Sequence, residues 1–231
     1  MWTTWSGELS CSPARRLRPR SVDEVAAAVA DGPGPVRVAG AGHSFTPLCL
    51  TGGTLLELDG ALRGVQDADP ATGLVRVGAG TTLHEVNVAL DELGLAFANL
   101  GDIDVQAVAG AISTSTHGTG GAKPSLAGQV EALELMAADG TLHRCGRDDD
   151  PDLWRAARVS LGALGVLTSV TVRAVPAFTL RRVDRPEPLE EVLGALDERV
   201  AAHEHFELFA FPYARDALTR TTDRVDGPPR P

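Results

Sequence analysis

Val38-Ala39-Gly40-Ala41-Gly42-His43-Ser44-Phe45 follows a short apolar run, Val36 to Ala39, that reads as a buried strand. A strand running into small residues suits a phosphate cradle. Glycine lets the backbone come close and turns successive N–H groups inward as an anion nest. The dinucleotide fingerprint G-x-G-x-x-G is the first pattern to test, and it fails. Phe45 stands at the third glycine position, and Thr46-Pro47 blocks a continuous helix. Glu57 and Asp59 lie near the interval expected for a ribose contact, but a lone G-x-G is also the pattern of a tight turn. Both readings stay open on these residues alone.

Outward from that stretch, the N-terminal side is simple. Residues 1–20 are basic and irregular. Arg15-Arg16 is not followed by an apolar run, so no export signal is read there. Ser21-Val22-Asp23-Glu24 is a capping box for an alanine-rich helix ending near Gly32. On the other side, Thr54 to Leu58 and Leu74 to Val77 read as strands. Thr82-Leu83-His84-Glu85 opens a second helix, with Leu83, Val86, Leu90 and Leu93 on one face and a stop at Gly94. From Asn99 to Gly128 the chain is rich in glycine, serine and threonine and reads as a long loop, a length that usually marks function. Glu131 to Ala137 and Thr141 to Cys145 form a hairpin about Asp139-Gly140. Asp150-Pro151 starts a short helix, and Gly165 to Val175 is a β-branched strand ended by Pro176. Arg181 to Pro188 is charged and proline-bearing, the mark of a boundary. A helix from Leu189 to Ala201 and a strand from Phe206 to Phe211 follow, and the chain closes on Gly227-Pro228-Pro229-Arg230-Pro231. The unit after the boundary is too short for an independent core and reads as a domain cut short.

A second concentration of small and polar residues lies inside the long loop. Gly110-Ala111-Ile112-Ser113-Thr114-Ser115-Thr116-His117-Gly118-Thr119-Gly120-Gly121 brings hydroxyls, backbone N–H groups and one imidazole together. These suit a pyrophosphate or the polar edge of a heteroaromatic cofactor. Val105, Val108 and Ile112 anchor it and argue against a mobile linker. His84, His143, His203 and His205 read as structural. His203-x-His205 lacks a third ligand, and Cys11, Cys49 and Cys145 are too far apart for a zinc or disulfide framework, so no metal is expected.

Composition narrows the rest. With 43% hydrophobic and 23% charged residues the chain is of ordinary globular type. A net charge of −10 disfavours nucleic acid and anionic lipid as partners. No stretch reaches the roughly 18 apolar residues of a membrane span. Few cysteines suggest a reducing compartment, and a cytoplasmic location is expected.

The ordered set of segments resembles a known family. Arg37 to Phe45, Asn99-Leu100-Gly101, Val108-Ala109-Gly110, Thr114 to Gly120 and Leu161 to Thr168 are similar, in order and interval, to the PCMH-type FAD-binding domain of the vanillyl-alcohol oxidase family. Within it they resemble the branch of L-gulono- and D-arabinono-1,4-lactone oxidases and alditol oxidases. Phe206 to Tyr213 is similar to the opening of that branch's substrate domain.

The resemblance implies an α+β fold: an N-terminal segment (1–11), two α/β subdomains enclosing FAD (12–178), and the beginning of a substrate domain (179–231). It implies that Val38, Ala39, Gly40, Ala41, Gly42 and Ser44 hold the pyrophosphate and that His43 bonds covalently to the flavin. It also implies that Ala107, Gly110, Thr114, Ser115, Thr116, His117 and Gly118 line the cofactor, and that Gly165 and Val166 contact it through backbone.

The implied reaction oxidises a CH–OH group of a sugar lactone or polyol, with hydride passing to the flavin and then to dioxygen or another acceptor. Gly101 would lie near the reactive edge and leave room for dioxygen; equally, it could serve a turn of positive φ. Asp102 stands where alditol oxidases commonly carry serine, and is set down as a candidate catalytic position. A nicotinamide-dependent dehydrogenase and a non-catalytic flavin-binding fragment are the alternatives. Catalysis by this chain alone is expected to be weak, because most substrate-binding groups of the family lie later in its sequence.

Overall fold

The computed structural model describes residues 1–228, so Pro229, Arg230 and Pro231 of the closing segment lie outside the described residues. The first twenty residues are not irregular. Strands β1 (Trp2–Thr3) and β2 (Ser10–Cys11) pair antiparallel, and the Thr4 N–H closes their turn on the Leu9 carbonyl at 2.9 Å. What orders them is Trp2, which is buried with Ala39 and Leu55 in a small apolar cluster of its own.

Strand β3 (Arg15–Leu17) leads to helix α1 (Val22–Ala30). Ser21 caps it by accepting from the Glu24 N–H at 3.2 Å. The Glu24 carboxylate reaches past the cap to the Arg20 N–H at 2.7 Å, so the expected box closes one residue earlier in the chain. Strands β4 (Val36–Val38) and β5 (Thr54–Leu56) complete a parallel sheet in the order β3-β5-β4. Parallel strands need a crossover, and α1 supplies the one that joins the two outer strands, β3 and β4.

Strand β6 (Val65–Asp69) escapes the sequence reading because it is largely exposed and has no apolar alternation. It pairs with β7 (Leu74–Gly78). Thr82 forms a complete capping box with Glu85 and starts α2 (Leu83–Glu92), which buries Leu83, Val86 and Leu90. Leu93, expected on that face, is the C-cap residue and is exposed. After β8 (Leu95–Ala96), the expected loop contains a helix, α3 (Val108–Ser113), whose Val108, Ala111 and Ile112 are buried. It has no side-chain cap and only six residues, so tertiary burial holds it, and no local signal announces it.

Strands β9 (Val130–Met136) and β10 (Leu142–Gly146) form the expected hairpin, with Gly140 at φ 80°. Helix α4 (Pro151–Ala157) is capped by Asp150. The expected single strand from Gly165 to Val175 is two, β11 (Val166–Arg173) and β12 (Val175–Pro176). Strand β12 leaves the main sheet to pair with β8. The main sheet is antiparallel, ordered β10-β9-β11-β7-β6, and joins α1, α2, α3, α4 and the parallel sheet in one apolar core.

The closing unit differs most from expectation. Arg181 to Pro188 is not a linker but part of β13 (Thr179–Pro188), an edge strand where Pro186 and Pro188 are tolerated. The expected helix is two short ones, α5 (Leu189–Gly194) and α6 (Leu196–Ala202), which part at Ala195 after a glycine. Strands β14 (His205–Phe209) and β15 (Asp216–Val225) complete an antiparallel sheet ordered β13-β15-β14. The architecture is α+β. Among the described residues no helix is long and apolar enough to cross a membrane.

Candidate functional site

The loop after β4 forms one wall of a cavity of about 980 Å³. Cavities that enclose small-molecule ligands run to roughly 300–1,000 Å³. Val38 to Ser44, Ala107, Gly110 and Thr114 of the α3 region, and Leu161 to Val166 before and into β11, all line it. The Ala39 N–H still continues the strand, donating to the Leu56 carbonyl at 2.9 Å. Beyond it, the N–H groups of Gly40 to Phe45 find no acceptor among the described residues. Such a run is a ready receptor for anionic oxygens.

Two glycines make the loop possible for different reasons. A Cβ on Gly40 would lie 2.9 Å from that of Ala107, so the loop can meet α3 only without a side chain there. Gly42 is left-handed at φ 65°, and a Cβ on it would press into the Trp2 ring. The loop runs into a three-residue 3₁₀ turn, Pro47–Cys49, not an α-helix. No α-helix therefore opens directly from the loop, which removes the dinucleotide-fingerprint geometry. Glu57 lines the cavity, but Arg16 binds both its oxygens, at 2.6 and 2.9 Å. Those hydrogen bonds hold its carboxyl below the usual range, against the raising effect of burial.

His43 faces the cavity, half-buried, with its ring stacked on Trp5 at 4.2 Å and 7°. On the opposite wall, Gly165 has φ 148°, and a Cβ there would collide with the Met136 carbonyl. The close approach of β9 thus demands this glycine, and its peptide is left on the cavity surface.

The remaining candidates divide. Thr114 lines the cavity, while Ser115, Thr116, His117 and Gly118 do not. Ser115 adopts φ 55°, and the chain turns away there to pack on Asn99-Leu100-Gly101. A Cβ on Gly118 would meet the Leu100 carbonyl, and one on Gly101 would lie 3.2 Å from the His117 carbonyl. Gly101 is not in the left-handed region, so the turn reading of this residue fails. The His117 Nδ1 lies 2.9 Å from the Gly118 carbonyl, an acceptor, so that nitrogen carries the proton. Asp102 is exposed and lies toward β13, where it adds to the field that Asp184 sets on Arg182.

Several residues on the walls gave no sequence signal. Arg18, just after β3, lines the cavity beside Arg37 of the quoted stretch, and the two meet there because β3 and β4 both pair with β5. Gln129 is buried and braces the Asn99 loop, accepting from the Ala98 N–H at 2.9 Å and donating to the Asn99 carbonyl at 2.8 Å. Three of the four histidines set aside as structural have hydrogen-bond partners: His84 with Asp104, His203 with Asp223, His205 with Thr119.

Unpaired N–H groups and two guanidiniums on the cavity wall, together with Leu58, Leu164 and Val166, fit a ligand that is partly anionic and partly apolar. A model of the FAD-binding domain matches residues 13–146, and a model of D-arabinono-1,4-lactone oxidase matches residues 170–231. The chain is 42% identical to an L-gulono-1,4-lactone dehydrogenase of Mycobacterium tuberculosis, covering 100% of this chain and 54% of that protein. It is 36% identical to an L-gulonolactone oxidase of Mus musculus, covering 97% and 52%. It is 35% identical to a D-arabinono-1,4-lactone oxidase of Yarrowia lipolytica, covering 99% and 45%. The chain thus spans about half the length of the curated relatives it matches. A cholesterol oxidase of Brevibacterium sterolicum shares the fold, with a TM-score of 0.82 at 23% identity over 96% of this chain and 47% of that one. The FAD-binding model alone spans more than half of the sequence, and the chain belongs to the FAD-binding domain family.

Proposed function

We propose that the chain binds FAD in this cavity, covalently through His43, as part of an enzyme that oxidises a CH–OH group of a sugar 1,4-lactone or related polyol. The observation that carries the reading is the run of unpartnered N–H groups from Gly40 to Phe45 with His43 on the same cavity wall. In this reading the Val38–Ser44 backbone, with Arg18 and Arg37, holds the pyrophosphate. Gly110 leaves open space where a side chain would stand, and Thr114 turns its hydroxyl proton to the Gly110 carbonyl at 3.0 Å, leaving lone pairs for the cofactor. Val166 and the Gly165 peptide face the ring and exclude water from it. Bound flavin would supply a hydride acceptor for the alcohol carbon.

Ser115 to Gly118 and Asn99 to Gly101 are packed together behind α3 and would support the site from there. Asp102 is exposed beside β13 and off the cavity wall, so in this reading it would meet only the part of a substrate that extends toward the closing unit. The nicotinamide alternative loses its ground, because the loop is followed by no helix and Glu57 is occupied by Arg16. The relatives carry both dehydrogenase and oxidase in their names; Gly101 lies off the cavity wall and close against the His117 carbonyl, so the expected room for dioxygen is not there and the electron acceptor stays dioxygen or another two-electron acceptor. Anaerobic mixing of the flavin-loaded protein with L-gulono- and D-arabinono-1,4-lactone tests the substrate class. Bleaching of the flavin by a lactone supports it; bleaching only by unrelated alcohols would overturn it.

A further inference from the structure

We propose that Trp5 is a positioning residue for His43, setting the plane of its imidazole for covalent attachment of the flavin; this rests on the reading of His43 as the anchor. The loop that carries His43 does not hold itself. Its N–H groups from Gly40 to Phe45 have no acceptor, and the His43 ring has no hydrogen-bond partner among the described residues. Four other histidines are fixed through Nδ1, by Asp104, Gly118, Asp223 and Thr119. For His43 the Trp5 indole takes that place, stacked nearly parallel at 4.2 Å.

The platform is itself fastened. The Trp5 N–H donates to the Gly42 carbonyl at 3.3 Å, and the indole meets Phe45 edge-on at 5.8 Å. The β1–β2 hairpin that presents it is pinned by buried Trp2, whose ring lies against Gly42. These contacts come from residues ahead of 13, where the FAD-binding match begins, so the hairpin is an addition to that domain that grips its cofactor loop.

In attachment, a His43 ring nitrogen would bond to the carbon of the flavin 8-methyl group, while one C–H of that group and the imidazole N–H break. The electron pair and both hydrogens would go to the flavin, and dioxygen or another two-electron acceptor would then restore it. The new bond needs the nitrogen lone pair aimed at one carbon, and a ring free to turn about its side-chain bonds spends little time so aimed. Stacking on Trp5 leaves the ring rotation that keeps it parallel to the indole and suppresses the rest.

Flavin-free protein, mixed with FAD and quenched with acid at intervals, gives the attachment rate from the flavin in the pellet; FAD titration gives total binding. Trp5→Ala should slow attachment roughly three- to tenfold, the range an aromatic stack supports, with total binding little changed, and Trp5→Phe should recover much of the rate. Proton NMR of the flavin-free protein should show His43 ring protons displaced upfield, a displacement lost in Trp5→Ala and kept in part in Trp5→Phe. An unchanged rate in Trp5→Ala overturns the proposal. So does loss of total FAD binding in both variants, which would make Trp5 a binding residue. Flavin still pelleting with His43→Ala would instead overturn the anchor itself, whatever the Trp5 variants do.

Discussion

The cofactor-binding region buries Leu56, Val75, Val86, Leu90, Ile112 and Val170 in one continuous core, whereas in the closing unit only Val192, Ala217 and Thr219 are buried among the described residues. Where the first region has apolar contact, the second has charge. Arg182 and Arg220 share Asp184, Arg199 holds Glu187, and His203 meets Asp223. The two regions touch through polar groups as well: Lys123 binds Glu204 at 2.7 Å, and Thr119 meets His205. Apolar burial is indifferent to salt and pH, while exposed ion pairs are weak and screened. The lesson is that the cofactor cavity sits in the part of the molecule where an apolar core backs ion pairs such as Arg16–Glu57 and Arg76–Glu134, whereas the closing unit has little but its ion pairs.

The sharpest test of that contrast is a pair of truncations. Leu56→Ala removes a fully buried side chain between the two sheets and should cost about 2–5 kcal/mol in denaturant unfolding. All three tryptophans precede residue 178, so tryptophan fluorescence reports the first region alone. Val192→Ala should leave that fluorescence midpoint where it was. If it shifts the midpoint as far as Leu56→Ala does, the two regions are one cooperative unit and the contrast falls.

Acid should separate the regions more gently. Hydrogen bonds from Arg182 and then Arg220 hold the Asp184 carboxyl well below its usual range, and Lys123 does the same for Glu204. A depressed folded value means the contribution is complete above the unfolded value, roughly 3.9 for Asp and 4.3 for Glu, and is lost as pH falls through the folded one. Hydrogen exchange should therefore show β13 to β15 losing protection below about pH 4 before β9 and β11 do. Simultaneous loss in both sheets would contradict the account.

How far the sequence could be read follows the same division. Strands β4, β5, β7, β9 and β11 and helices α1 and α2 are legible because apolar runs, caps and turn glycines agree locally. Strands β13 and β15 are not. Their arginines and aspartates look like linker until the register sets Asp184 opposite Arg220, and only then do they become a cross-strand pair. The site divides likewise. The Val38–Ser44 loop is contiguous, so its spacing could be read. Thr114 to Gly118 looks uniform as a string, yet the left-handed Ser115 turns the chain and separates Thr114 from the rest. Arg18 and Trp5 reach the loop because the strands beside them pair, which no local pattern contains.

A small effect is expected where the regions meet. At Gly101 a methyl group would lie 3.2 Å from the His117 carbonyl, a contact that a slight shift relieves. Gly101→Ala should thus change stability by less than about 1 kcal/mol and leave flavin content intact. Reoxidation of reduced flavin by air should be unchanged too, because Gly101 lies off the cavity wall. Slower reoxidation would put Gly101 in the path of dioxygen after all.

The central claim is that the Gly40–Phe45 loop holds FAD and His43 carries it. The absorbance spectrum of the purified protein, taken before acid precipitation and again on the redissolved pellet, tests it most directly. The account predicts a flavin spectrum in the native protein that stays with the pellet, and a His43→Ala protein whose flavin moves to the supernatant. A native protein without flavin absorbance that takes up no added FAD would contradict the site, and flavin wholly in the supernatant of the unaltered protein would contradict the covalent link.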